Sequence, residues 1–202
     1  MSSFLGPIHF WLYNKVKFQE ELTFYLYTFA VDNNIVADDA EISSLVKKQL
    51  RPLDELIDAM NIHSWLQDCI HDAENRYAKL IVKLTDKNDN FPEFEKAAFK
   101  FGKLHNVGQV SVRDAYRIFD DSFLNGMPCD RVNVITDQDD FRISWEQTQD
   151  IHGSYWNNAG GSPELYYNLR KQVMLGMLED SGLSLESHDY LHYSIISNKK
   201  VF

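Results

Sequence analysis

Up to about residue 125 the apolar positions recur at helical spacing, and beyond it they alternate as strands do. Gly6-Pro7 opens the first helix, since proline is tolerated in a first turn. Ile8, Trp11, Leu12, Val16, Leu22, Tyr25, Leu26 and Phe29 then keep one stripe to about Asp32. Asp38 with Glu41 forms a capping box for a short helix ending near Leu50. Pro52 starts a long helix to about Leu84, and Asp86–Asn90 is a turn. Pro92 opens the next helix, through His105, and Ser111 with Asp114 caps another, stopped by Asn125-Gly126 and Pro128.

The period then changes. Val132, Val134 and Thr136 alternate with polar residues, as do Phe141, Ile143 and Trp145, with DQDD (137–140) between them. Residues 131–148 therefore read as a β-hairpin. Residues 149–162 read as a long polar and aromatic loop. Ser162-Pro163-Glu164 opens a helix ending at Gly182, and Leu185 to Ile196 reads as a final strand. The expected fold is α+β, with N-terminal helices packed on one face of a small antiparallel sheet. One domain over 1–202 is expected, helical in 1–127 and hairpin–helix–strand in 128–202, because the second part alone holds too little core.

Charge and cysteine usage narrow the partners. The 202 residues carry a formal net charge of −10, with no compensating basic stripe. Nucleic acid and anionic membrane surfaces are thus unexpected partners. No basic segment followed by an unbroken apolar run opens the sequence, and no apolar run approaches a membrane span. Cys69 and Cys129 form no CxxC and no metal-finger spacing. A cytoplasmic setting with two free thiols is expected.

The predicted long helix carries the most informative chemistry. Ile62, Leu66, Cys69, Ile70, Ala73, Tyr77, Leu80 and Leu84 form its apolar stripe. Beside it runs a row of Leu56, Met60, His63, Gln67, His71, Glu74 and Ala78, apolar at both ends and polar between. A polar patch in such a row is a solvated flank, a hydrogen-bonded network or a site wall. His63 and His71 stand about 12 Å apart along a helix and cannot share a metal ion. Asp68-x-x-His71 has a di-iron order, but no second pair completes the set. DNNIVADDAEIS (32–43) and DKNDNFPEFEKA (86–97) lack the glycine and glutamate of a calcium loop. No metal centre is expected, and no cofactor is indicated.

WEQTQDIHGSYW (145–156) crowds Glu146, Asp150, His152, Tyr155 and Trp156 into a few residues. His188 and His192 share a face if both lie on one strand. Were that strand to join the hairpin, His152 or His192 would approach Glu146 as an acid–base pair. There is no G-x-S-x-G, and nothing marks Cys129 as activated. His9 sits in the first turn of its helix, either satisfying local polar groups or facing the His63/His71 row across a helix pair.

Residues 97–196 resemble the vinyl-reductase-like small-molecule-binding domains and the related thiazoline-carboxylate hydrolase-like proteins. The likeness rests on AAFKFGKLHN, FRISWEQ, LRKQVMLGMLEDSGLSLES and HDYLHYSI. Those families place cysteines at the hairpin end and in the last strand. Trp145 and His192–Ser194 stand there instead, so no functional residue is carried over. The resemblance implies an α+β fold with an internal pocket for a small, aromatic or planar molecule.

The leading expectation is a small-molecule binder with a pocket between helices and sheet. His9, His63, Gln67, His71, Glu74, Trp145, Tyr155 and Trp156 would wall it. A second is a hydrolase-like enzyme using His152 or His192 with Glu146. A third is a non-catalytic scaffold, in its simplest form a homodimer.

Overall fold

Proline and a histidine start the chain's first helix, α1 (Pro7–Asp32). Pro7 needs no hydrogen-bonded N–H in a first turn, and His9 Nδ1 accepts from Gly6 N at 2.9 Å. The structure, a computed structural model, describes residues 5–37, 39–56, 61–85 and 90–198. The expected cap Asp38, Met60 and most of the 86–90 turn lie outside them. Asp39 caps the short α2 (Ala40–Ser43), accepting from Ile42 N at 2.9 Å.

The single helix expected from Pro52 is described as α3 (Leu53–Leu56) and α4 (Ile62–Thr85). A new start falls at Asn61, a residue type suited to capping, whose carbonyl accepts from Trp65 N at 3.0 Å. The apolar stripe of α4 is buried against α1, with Cys69 half-buried at its margin. Glu20, which is buried, and Arg76, which is partly so, form an ion pair across this helix pair. Next come α5 (Phe91–Leu104) and α6 (Val112–Ser122), where Ser111 Oγ accepts from Asp114 N. A strap follows, Gly126 to Arg131, holding a single 3₁₀ turn at Pro128–Asp130. Asp130 Oδ2 closes it by accepting from Met127 N at 2.8 Å.

The expected hairpin is present as β1 (Asn133–Gln138) and β2 (Arg142–Gln147). The expected loop at 149–162 instead contains α7 (Gly153–Asn158). Its polar residues build the helix start: Asp150 Oδ1 accepts from His152 N, Gly153 N and Tyr167 Oη at 3.0, 2.8 and 2.7 Å. Then comes α8 (Pro163–Met177), which ends five residues before Gly182. The expected final strand is a second hairpin, β3 (Leu183–Ser187) and β4 (His192–Ser197). Asp189 Oδ1 makes its turn, accepting from Leu191 N at 2.7 Å and His192 N at 2.9 Å. His188 therefore lies in the turn and shares no strand face with His192.

The sheet is antiparallel in the order β1-β2-β4-β3. The molecule is α+β, with α6 laid across β2 and β4. Trp145 stacks on Tyr193 at 5.3 Å and meets Tyr116 at 5.1 Å beneath it. The inward alternation expected of Val132, Val134 and Thr136 fails after Val132. Here β1 is an edge strand with a bulge between Ile135 and Asp137, and Val134 is exposed.

The tightest joint is the crossing of α5 and α8. A methyl added at Gly102 would fall 2.1 Å from Val173 O, and one at Gly176 would fall 2.1 Å from Phe99 O. Backbone touches backbone there, which only glycine permits.

Candidate functional site

A buried polar chain runs from α4 to α8. Glu74 Oε1 lies 2.9 Å from His152 Nδ1, and His152 Nε2 lies 3.0 Å from Tyr166 Oη. Arg170 Nη1 donates to the same Tyr166 oxygen at 2.9 Å. All four side chains are buried, Glu74 and His152 at 1 % exposure each. Tyr166 and Arg170 stand one helical turn apart on α8, so both reach inward together.

The proton order follows from the two ends. Arg170 can only donate, so the Tyr166 oxygen accepts from it. Burial holds the Tyr166 phenol well above its ordinary pKa, so it keeps its proton. That proton is donated to His152 Nε2, and the Nδ1–H of a neutral imidazole is donated to Glu74. Among the described residues no carboxylate stands within ion-pair distance of Arg170, whose guanidinium lies 4.8 Å over the Phe123 ring. Arg170 and Glu74 therefore offset each other's charge through two polarised neutral groups rather than by contact.

At the Glu74 end the chain reaches a cleft of about 180 Å³ between α4, α7 and the strap. Gln67, Ile70, His71, Glu74, Met127 and Tyr155 line it. The His71 and Tyr155 rings lie 6.0 Å apart. Burial and the nearby Glu74 carboxylate raise the Tyr155 phenol above its usual pKa. Glu74 Oε2 is buried with no hydrogen-bond partner.

The structure thus brings Gln67, His71, Glu74 and Tyr155 together but separates the other expected wall residues. His9 and His63 meet each other edge to face at 5.8 Å and do not line the cleft. Both proposed roles of His9 coexist, since Gly6 N occupies Nδ1 while the ring faces His63. Trp145 and Trp156 are not walls but core: Trp156 is fully buried against Tyr77 at 5.5 Å. His152 lies with Glu74, not Glu146. His192 Nε2 stands 3.6 Å from Glu146 Oε2, an exposed cross-strand pair, with Nδ1 held by Asp189 at 2.8 Å. Sequence reasoning passed over Tyr166 and Arg170. The available signal was an arginine inside the apolar stripe Tyr166, Leu169, Val173 of α8.

Among the described residues no three His, Cys, Asp or Glu side chains are grouped to hold a metal ion. No helix among them is long and apolar enough to cross a membrane. Cys129 is exposed, while Cys69 is half-buried and desolvation pushes its thiol up to about 11. Ellman titration of the native protein at pH 8 is expected to count one fast thiol, Cys129, and the second only on unfolding. Two equally fast thiols would contradict this burial.

No protein-family model, curated protein or solved structure matches the chain.

Proposed function

We propose that the chain binds a small molecule in the cleft beside Glu74, one that presents a protonated amine on a compact planar body. The observation that supports this reading is the free Glu74 oxygen, Oε2, buried beside an open cleft. A buried acceptor left without a partner costs about 1–3 kcal/mol. A ligand N–H would satisfy it, and the full carboxylate charge favours a cationic donor. His152 holds Glu74 through Oε1, leaving the other oxygen to the ligand. Both His152 ring nitrogens are engaged, so its role here is to position Glu74 rather than to move a proton.

The cleft is small beside sites of about 300–1,000 Å³ for drug-sized ligands. A single-ring amine suits that volume, with Ile70 and Met127 as apolar walls and His71 and Tyr155 at its sides. The site lies between helices and the strap, not between helices and sheet. The resemblance of residues 97–196 to small-molecule-binding domains agrees in ligand class. Two unpaired thiols favour a reducing, cytoplasmic setting.

Calorimetric titration tests the proposal with benzylamine and tyramine against phenylacetate. The amines are expected to bind and phenylacetate is not. Glu74→Gln is expected to lose about 2 kcal/mol of amine affinity, roughly thirtyfold. His71→Ala, at an exposed position, provides a second reading that does not disturb the buried chain, with a smaller loss. Equal binding of amine and carboxylate, or amine affinity untouched by both substitutions, would refute it.

A further inference from the structure

On the other side of the strap lies a second cavity, of about 420 Å³. Gly126 and Met127 line both spaces. Its apolar walls include Ile8 and Trp11 of α1, Pro128 of the strap, and Val132 and Val134 at the start of the hairpin. Two hydrogen-bond donors line it, one charged and one an amide.

The first is Lys15. Its side chain is 4 % exposed, in the apolar stripe of α1. The ammonium sits 3.5 Å from the centroid of the Trp11 ring. Trp11 is itself pinned, donating Nε1–H to Asp121 at 2.7 Å. Asp120 Oδ1 stands 3.8 Å from Lys15 Nζ, within ion-pair range but too far for a hydrogen bond.

The second is Asn125, 9 % exposed, whose Nδ2 has no partner. A chain anchored on a carboxylate fixes its orientation. Asp120 Oδ1 accepts from Asn133 Nδ2 at 3.2 Å, and Asn133 Oδ1 accepts from Gln147 Nε2 at 3.3 Å. The same Gln147 nitrogen donates to Asn125 Oδ1 at 3.0 Å. Asp120 can only accept, so each amide in turn is set, and Asn125 is left with its N–H₂ free.

The charges agree. Lys15 and Arg170 are both buried cations, and Arg170 repels the Lys15 ammonium. Desolvation pulls Lys15 down to about 8, with Asp120 and Asp121 opposing and Arg170 adding to the effect. An anion in the cavity would relieve both the desolvation and the repulsion.

We infer that this cavity is a separate ligand site for a small monocarboxylate with an apolar tail. Lys15 Nζ and Asn125 Nδ2 donate to the carboxylate, and the Trp11, Val132 and Val134 walls take the tail. The site selects charge of the opposite sign to the Glu74 cleft, and neither proposal depends on the other. An apolar cavity without the two donors would take a neutral molecule as well as an acid. The discrimination between them is therefore the property that Lys15 and Asn125 confer.

Titration calorimetry with 3-phenylpropionate, 3-phenylpropan-1-ol and 3-phenylpropylamine tests it. A Cys129→Ser background removes the exposed thiol on the strap. Asp120, Asp121, Arg131 and Arg170 are the other charged groups that act on Lys15 or line the cavity. The acid is expected to bind at least about tenfold more tightly than the alcohol or the amine. Its affinity is expected to fall about thirtyfold from pH 7 to pH 9.5, as the Lys15 ammonium is lost. Lys15→Met, with its fold checked by circular dichroism, is expected to lose at least about tenfold. Equal binding of acid and alcohol would overturn the inference, as would an affinity flat over that pH range. Absence of binding by the acid at millimolar concentration would overturn it too. These last readings use native Lys15 and stand even if the methionine variant misfolds.

Discussion

Gly176→Ala is expected to destabilise the protein by about 4 kcal/mol or more, among the largest effects a single substitution produces. The added methyl would lie 2.1 Å from Phe99 O and 3.0 Å from Gly102 Cα. Neither obstacle is a side chain that can rotate away, so α5 and α8 must separate. Gly102→Ala meets Val173 O in the same way. Helix propensity alone argues the other way, since alanine in a helix interior is favoured over glycine by about 1 kcal/mol. The sign of the result therefore separates the two effects. Urea denaturation followed by circular dichroism measures it, and a Gly176→Ala protein as stable as the parent would refute the backbone contact.

His152→Ala is the second large loss, about 3–5 kcal/mol. It removes the neutral bridge between a buried carboxylate and a buried guanidinium. Glu74 Oε1 loses its donor, the Tyr166 proton loses its acceptor, and the vacated volume adds a cavity cost. Glu74→Leu in the same background is expected to recover part of the loss, because an orphaned charge is worse than no charge. A double-mutant cycle then gives a coupling of about 1 kcal/mol or more. Strictly additive losses would mean that Glu74 and His152 do not act as one unit.

Helix starts were legible wherever a local signal sufficed. Pro7, Ser111 and Ser162-Pro163 act on their own first turns, and period-two alternation marks the first hairpin without reference to its partners. The α7 start and the second hairpin were missed because each turns on one aspartate. Asp150 and Asp189 organise the backbone N–H groups that follow them, with no proline in either turn to give it away. The row on α4 was legible as a row, but its two halves meet different fates: His63, Gln67 and His71 are exposed while Glu74 is buried. That difference depends on His152, which lies 78 residues along the chain. Aromatic residues mislead for a related reason. Trp145 and Tyr155 read alike as ring-bearing wall residues, yet α6 covers the first and the second borders the cleft. Lys15 and Arg170 share one signature, a cation inside an apolar stripe, and each lies at a buried polar cluster.

The crossing of α5 and α8 also bears on how the chain reaches its native state. The two helices come from opposite sides of the first hairpin and α7, so their contact closes a long loop. Loop closure of that kind is an entropic cost met before the contact rewards it, and such contacts slow folding relative to local ones. The two bare stretches of main chain that touch most closely are thus joined across a distance in sequence that local contacts never have to span.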